Sequence, residues 1–112
     1  ADAVWVSNHS GRQFDGGQSS IETLPEIRKA VGNDFPLIFD SGIEGGLDIL
    51  RAIALGANFV MLGRAFHYAL AALGKKGFEQ MAFILSDDIN TNMYQMGIKE
   101  LSQSSDRLIK RD

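Results

Sequence analysis

Three short apolar runs, Ala3-Val4-Trp5-Val6, Leu37-Ile38-Phe39 and Phe59-Val60-Met61-Leu62, set the limits on this fold. None alternates with polar residues, so none has the pattern of a strand with a wet face. Each runs straight into a stretch of glycine and polar residues, and a helical pattern follows each time. Strands are therefore expected over 3–7, 37–39 and 59–62. Residues 13–20, with Gly16-Gly17 and Ser19-Ser20, have the composition of a mobile loop. A helix is expected to open where Thr23 and Glu26 form a capping box, with Pro25 in its first turn. Leu24, Ile27 and Val31 supply its apolar stripe and Gly32 ends it. A second helix is expected over 47–55, with Leu47, Leu50, Ile53 and Ala54 on one face and Gly56 as its stop. A third spans about 65–73 and is broken by Gly74 and Gly77, and a longer one spans about 78–96 before Gly97. The polar tail, 98–112, offers Leu101, Leu108 and Ile109 for docking, with frayed ends.

Strand and helix thus alternate three times, and right-handed crossovers make such strands parallel. Parallel sheets bury both faces, which accounts for unbroken apolar runs. The fold class expected is α/β. A closed eight-stranded barrel needs about 250 residues, so the chain has the pattern of the last three βα units of a TIM (β/α)8 barrel plus a C-terminal helical extension. On that reading residues 1–64 carry the strands and ligand loops, and 65–112 the last helix and helical tail. A chain opening at Ala1, almost inside a strand, is also expected to be a fragment. A complete three-stranded α/β domain is the alternative.

Composition narrows the chemistry. A net charge of −3 provides no basic patch, which argues against a nucleic-acid partner. Without cysteine there is no disulfide framework and no thiolate metal site, and no metal is expected. No apolar run approaches the roughly 20 residues of a membrane span. The residues that carry chemistry follow the strands, where ligand sites of parallel α/β folds lie. After the first comes Ser7-Asn8-His9-Ser10-Gly11-Arg12. Neutral imidazole can take a proton near neutral pH, and a guanidinium fork fits a carboxylate with two parallel hydrogen bonds. Alone, such a pair is as easily two solvated groups in a loop. After the second and third strands, Gly42, Gly45, Gly46 and Gly63 let backbone N–H groups approach an oxyanion. Arg64, at a helix amino terminus, faces the positive end of the dipole at a cost of some 0.3–1 kcal/mol, and a bound phosphate would reverse that sign.

The segments Ser7-Asn8-His9-Ser10-Gly11-Arg12-Gln13, Asp40-Ser41-Gly42-Ile43, Gly46-Leu47-Asp48, Ala54-Leu55-Gly56-Ala57 and Leu62-Gly63-Arg64-Ala65 resemble, in order and spacing, the FMN-dependent α-hydroxy acid dehydrogenases and oxidases. The likeness covers residues 1 to about 100, and Asp-Ser-Gly-Ile with Leu-Gly-Arg-Ala-Phe is most similar to the L-lactate dehydrogenase branch. The resemblance implies that His9 is the active-site base, Arg12 binds the substrate carboxylate, and Asp40, Ser41, Gly42, Gly63 and Arg64 line the FMN site at its ribityl phosphate. It implies oxidation of an L-2-hydroxy acid to the 2-oxo acid, with electrons passing from FMN to a quinone, oxygen or a haem protein. Removal of either the α-carbon or the hydroxyl proton needs His9 neutral beforehand. The isoalloxazine contacts, a lysine near flavin N1 and the substrate-contacting tyrosines belong, by the same resemblance, to the amino-terminal part of the barrel. The 112 residues alone are therefore expected to be inactive. The full-length protein is expected to be a homo-oligomer, cytoplasmic or peripheral at the inner membrane face. A non-redox phosphate-binding barrel enzyme, or an inactive interaction module, is the competing function.

His67 is expected to be a packed or surface histidine, Tyr68 and Tyr94 to pack within helices, and Met61, Met81, Met93 and Met96 to fill the core. Two residues depart from the family pattern. Ser10 stands where a glycine or alanine is usual, and Glu44 where an arginine usually follows Asp-x-Gly-Ile. A carboxylate about 4 Å from a phosphate charge would cost about 4 kcal/mol at an effective dielectric of about 20, so Glu44 is expected to point to solvent. In the full-length protein Glu44→Arg should tighten FMN binding. Unchanged or weaker binding in a fluorescence titration would refute this.

Overall fold

A computed structural model of the chain describes residues 1–109. Its elements run β1 (Val4–Val6), a 3-10 turn (His9–Gly11), α1 (Ser20–Val31), β2 (Leu37–Phe39), α2 (Gly46–Ala54), β3 (Phe59–Val60), α3 (Arg64–Leu73), α4 (Lys75–Met96) and a second 3-10 segment (Leu101–Arg107). The strands form one parallel sheet in the order β1-β2-β3, as the alternation of elements requires. Val4 pairs with Leu37 and Val6 with Phe39, and Phe39 pairs with Val60.

One face of the sheet makes the core. Val6, Leu37 and Phe39 pack with Leu24 of α1, Ala52 of α2 and Ala57, all buried. The opposite face departs from the expectation of a sheet buried on both sides. Register aligns Trp5, Ile38 and Phe59 across it, and Trp5 is 55% and Phe59 62% exposed. Strand composition records which surface would gain by burial, and no described element covers this one.

Helix boundaries shift for local reasons. α1 opens three residues before Thr23, because the Glu22 carboxylate accepts from both the amide (3.2 Å) and the hydroxyl (2.7 Å) of Ser19. Thr23 instead turns its hydroxyl back to the Ser20 carbonyl at 2.8 Å, and Pro25 lies inside the helix, beyond the first turn. Gly77 does not break α4; it is buried within it, where an added Cβ would collide with the Ala69 carbonyl of α3. Gly74 alone separates the two helices. In the tail, Ile98 is the docked residue, 6% exposed, while Leu101, Leu108 and Ile109 remain exposed. Residues 110–112 of the expected tail lie outside the described residues. Tyr68 and Tyr94, expected to pack, are 68% and 84% exposed.

Two polar contacts tie the layers together. Arg28 of α1 donates to the carbonyls of Gly56 (3.0 Å) and Phe35 (2.8 Å) and to Asn58 Oδ1 (2.6 Å), which also accepts the Leu37 amide at 2.9 Å. Asp88 of α4 accepts the amide of Gly46 at the start of α2, and the close approach leaves no room for a Cβ on Gly46. Since hydrogen bonds from charged groups contribute about 1.5–3 kcal/mol each and are not additive, Arg28→Met in the full-length protein should cost about 2–3 kcal/mol in urea unfolding. A loss below about 0.5 kcal/mol, the scatter of ordinary surface substitutions, would contradict this role.

Candidate functional site

Parallel pairing brings the carboxyl ends of β1, β2 and β3 to one edge, so the loops that follow them are neighbours. The first loop leaves β1 through a left-handed turn, with φ of +53° at His9, +58° at Ser10 and +68° at Gly11. Glycine adopts this conformation freely, but each non-glycine residue costs roughly 1–2 kcal/mol. Hydrogen bonds offset that cost. The amide of His9 donates to Ser7 Oγ at 3.1 Å, that of Gly11 to the Asn8 carbonyl at 3.1 Å, and that of Arg12 to the His9 carbonyl at 3.2 Å. The amide of Ser10 reaches across to Ser41 Oγ in the second loop at 3.3 Å. Ser41 is itself left-handed at φ +82°, and its hydroxyl donates to Asp40 Oδ1 at 2.9 Å.

His9, Arg12, Asp40, Ser41, Gly42, Gly63 and Arg64 all line one open cavity of about 790 Å³. A second cavity of about 450 Å³ adjoins it, shares Ser41, Gly42 and Arg64, and has Asp48 and Arg51 on its wall. The first is also lined by Glu44, His67 and Tyr68, none of them assigned a ligand role from sequence. For the last two the signal was available: Arg64, His67 and Tyr68 stand at i, i+3 and i+4, one face of α3.

His9 Nδ1 lies 3.2 Å from Gln13 Oε1. With Gln13 Oε1 as the acceptor, the contact selects, for the neutral ring, the tautomer with its proton on Nδ1 and the lone pair on Nε2. Arg12 and Arg64 are exposed, and neither guanidinium has a hydrogen bond or ion pair among the described residues. Both guanidiniums are thus available to an anion in the same cavity.

The helix starts differ in what they offer. At α2 two amides are already engaged: Glu44 N–H donates to Asp48 Oδ2 at 3.2 Å, and Gly46 N–H donates to Asp88. Asp48 also pairs with Arg51 at 3.1 Å. At α3, Gly63 occupies the N-cap position with no side-chain cap, and the space where a Cβ would stand is empty, as it is at Gly42. The first amides of α3 have no intrahelical partner by geometry, and Gly63, Arg64 and Ala65 line the cavity. Of these two helix starts, that of α3 is the one left uncapped. Glu44 is exposed on the cavity rim, as its charge requires. Among the described residues no cluster of three or more His, Asp or Glu could hold a metal ion.

A family model described as FMN-dependent dehydrogenase matches residues 1–111. An L-lactate dehydrogenase of Vibrio cholerae serotype O1 is 46% identical over 112 residues, covering 99% of this chain and 30% of the relative. One from Alcaligenes faecalis is 44% identical, with 100% and 30% covered. Among solved structures, a protein described as a lactate oxidase of Pediococcus acidilactici aligns with a TM-score of 0.89 at 39% identity, over 95% of this chain and 30% of that one. A soluble mutant of the membrane-associated (S)-mandelate dehydrogenase of Pseudomonas putida aligns at 0.88 and 41% identity, over 94% and 30%. The chain thus spans about 30% of the length of the curated relatives it matches.

Nitrogen-15 NMR of the full-length protein should find the His9 ring proton on Nδ1, and Gln13→Leu should release that preference. A proton on Nε2 in the parent protein would contradict the Gln13 contact.

Proposed function

Because the chain belongs to the FMN-dependent dehydrogenase family, we propose that it forms the last three βα units of a (β/α)8 barrel whose cofactor is FMN and which oxidises an L-2-hydroxy acid, L-lactate foremost, to the 2-oxo acid. The observation that carries this is the shared cavity, with His9, the unpaired Arg12 guanidinium and the uncapped start of α3 on its wall. On this reading residues 1–64 supply the strands and ligand loops and 65–112 the last helix and helical tail. The uncovered row of Trp5, Ile38 and Phe59 faces the barrel interior, where inward side chains of alternate strands stack.

FMN suits these residues on several counts. A volume of about 790 Å³ falls within the roughly 300–1,000 Å³ of small-molecule sites. A phosphate would meet the free amides of α3, the open glycine positions and Arg64, and would turn an unfavourable cation–dipole arrangement into a favourable one. Asp40 has one oxygen engaged by Ser41, and the other can accept from a ribityl hydroxyl. Glu44 is the one discordant charge, and its exposure lets water screen it.

When bound, FMN supplies the two-electron acceptor. The chain's own residues do the rest. Arg12 holds the substrate carboxylate in a bidentate grip, which fixes the α-carbon and its hydroxyl relative to His9. His9 Nε2, left unprotonated by the Gln13 contact, takes one of the two protons the substrate loses. The left-handed turn aims both side chains from one short segment. The electrons then leave to a quinone, oxygen or a haem protein. The same reading makes the full-length protein a homo-oligomer that is cytoplasmic or held peripherally at the inner membrane face. No helix of the described residues is long and apolar enough to cross a membrane.

L-Lactate added anaerobically to the FMN-loaded full-length protein should bleach the flavin. His9→Gln should lower kcat by about 10²–10⁴-fold, the usual weight of general-base catalysis, with FMN affinity retained. Arg12→Lys should raise KM, since a point charge replaces a fork. Absence of bleaching in the parent protein, or an active His9→Gln variant, would overturn the proposal.

A further inference from the structure

We infer that Ser41 is a positioning residue whose hydroxyl latches the His9–Gly11 turn to the loop after β2, so that base and carboxylate clamp are held from the loop bordering the cofactor. This rests on the roles given to His9 and Arg12 above.

A hydroxyl has one proton to donate and two lone pairs to accept with. The Ser41 proton goes to Asp40 Oδ1 at 2.9 Å. The Ser10 amide fills one lone pair at 3.3 Å. With its proton spent, the 3.5 Å contact between Ser41 Oγ and Ser7 Oγ can only run from Ser7 to Ser41. Ser7 Oγ in turn accepts the His9 amide at 3.1 Å. The Ser41 proton and one lone pair are therefore taken by protein, with Ser7 Oγ 3.5 Å from the hydroxyl oxygen.

The bonds have a direction. They start at the amides of His9 and Ser10, the two non-glycine residues of the turn with positive φ, and end on the carboxylate of Asp40. They cross between loops 31 and 34 residues apart in sequence. Ser41 itself sits at φ +82°, which a glycine would adopt without strain. A glycine could make none of these side-chain bonds. The hydroxyl accounts for a serine at a glycine-type position, and the turn it restrains carries the reactive side chains.

Two variants of the full-length protein separate hydroxyl from backbone. Ser41→Gly removes the hydroxyl and relieves the positive φ, whereas Ser41→Ala removes the hydroxyl and keeps the strain. In both, hydrogen exchange at the His9 and Ser10 amides of the FMN-free protein should accelerate about tenfold. In the protein saturated with FMN, kcat/KM for L-lactate and the affinity for oxalate, a dicarboxylate read through flavin absorbance, should each fall about tenfold. Unchanged exchange at both amides overturns the latch. So does faster exchange with unaltered kcat/KM and oxalate affinity, or a loss confined to FMN affinity, which would make Ser41 a cofactor ligand. Faster exchange in a protein whose parent form does not oxidise hydroxy acids supports the latch and sinks the proposed reaction instead.

Discussion

In-register parallel pairing of β1, β2 and β3 is the constraint from which the site follows. Val6 beside Phe39, and Phe39 beside Val60, bring three carboxyl ends to one edge of the sheet. Three loops that are distant in sequence then become neighbours without any contact designed for the purpose. The fully buried Leu24, Leu37 and Phe39 hold that register from one side. A slip of one residue would send Leu37 and Phe39 to the opposite face. It would also carry His9 and Arg12 out of reach of the β2 and β3 loops.

On this frame the chain spends stability locally. His9, Ser10 and Ser41 all occupy left-handed backbone, each at roughly 1–2 kcal/mol. The offset comes from hydrogen bonds, chiefly Ser10 to Ser41 between loops and Ser41 to Asp40 within one. Strain of this kind persists where surroundings over-determine it, and it gathers at functional sites. Charge is distributed with the same economy. The carboxylates of Asp48 and Asp88 occupy the amino end of α2, whereas that of α3 is open beside Arg64. The two helix starts thus differ: that of α2 is engaged by carboxylates, and that of α3 is left uncapped.

How far sequence foretold this depended on the range of the interaction. The strands and their order were legible because apolar runs and intervening helix patterns are local. So was the gathering of His9, Asp40, Gly42, Gly63 and Arg64, because parallel strands put their trailing loops on one edge. Competing local signals misled. Ser19/Glu22 and Thr23/Glu26 have the same spacing, and only the path of the preceding loop decides which pair opens α1. Gly77 has the composition of a breaker and serves instead as a close contact with the Ala69 carbonyl. The bonds around Ser41 were out of reach, since they exist only once His9 and Ser10 have turned left-handed. Nor could apolar content show that Trp5, Ile38 and Phe59 would lie on a face no described element covers.

The central claim is that base and clamp address one substrate while α3 holds the cofactor's phosphate. A crystal structure of the full-length protein with FMN and oxalate tests it most directly. The account predicts Arg12 bidentate to one oxalate carboxylate, His9 Nε2 within about 3.2 Å of the ligand, and the phosphate on the first amides of α3 beside Arg64. A phosphate bound elsewhere, or Arg12 turned away from the oxalate, would contradict it.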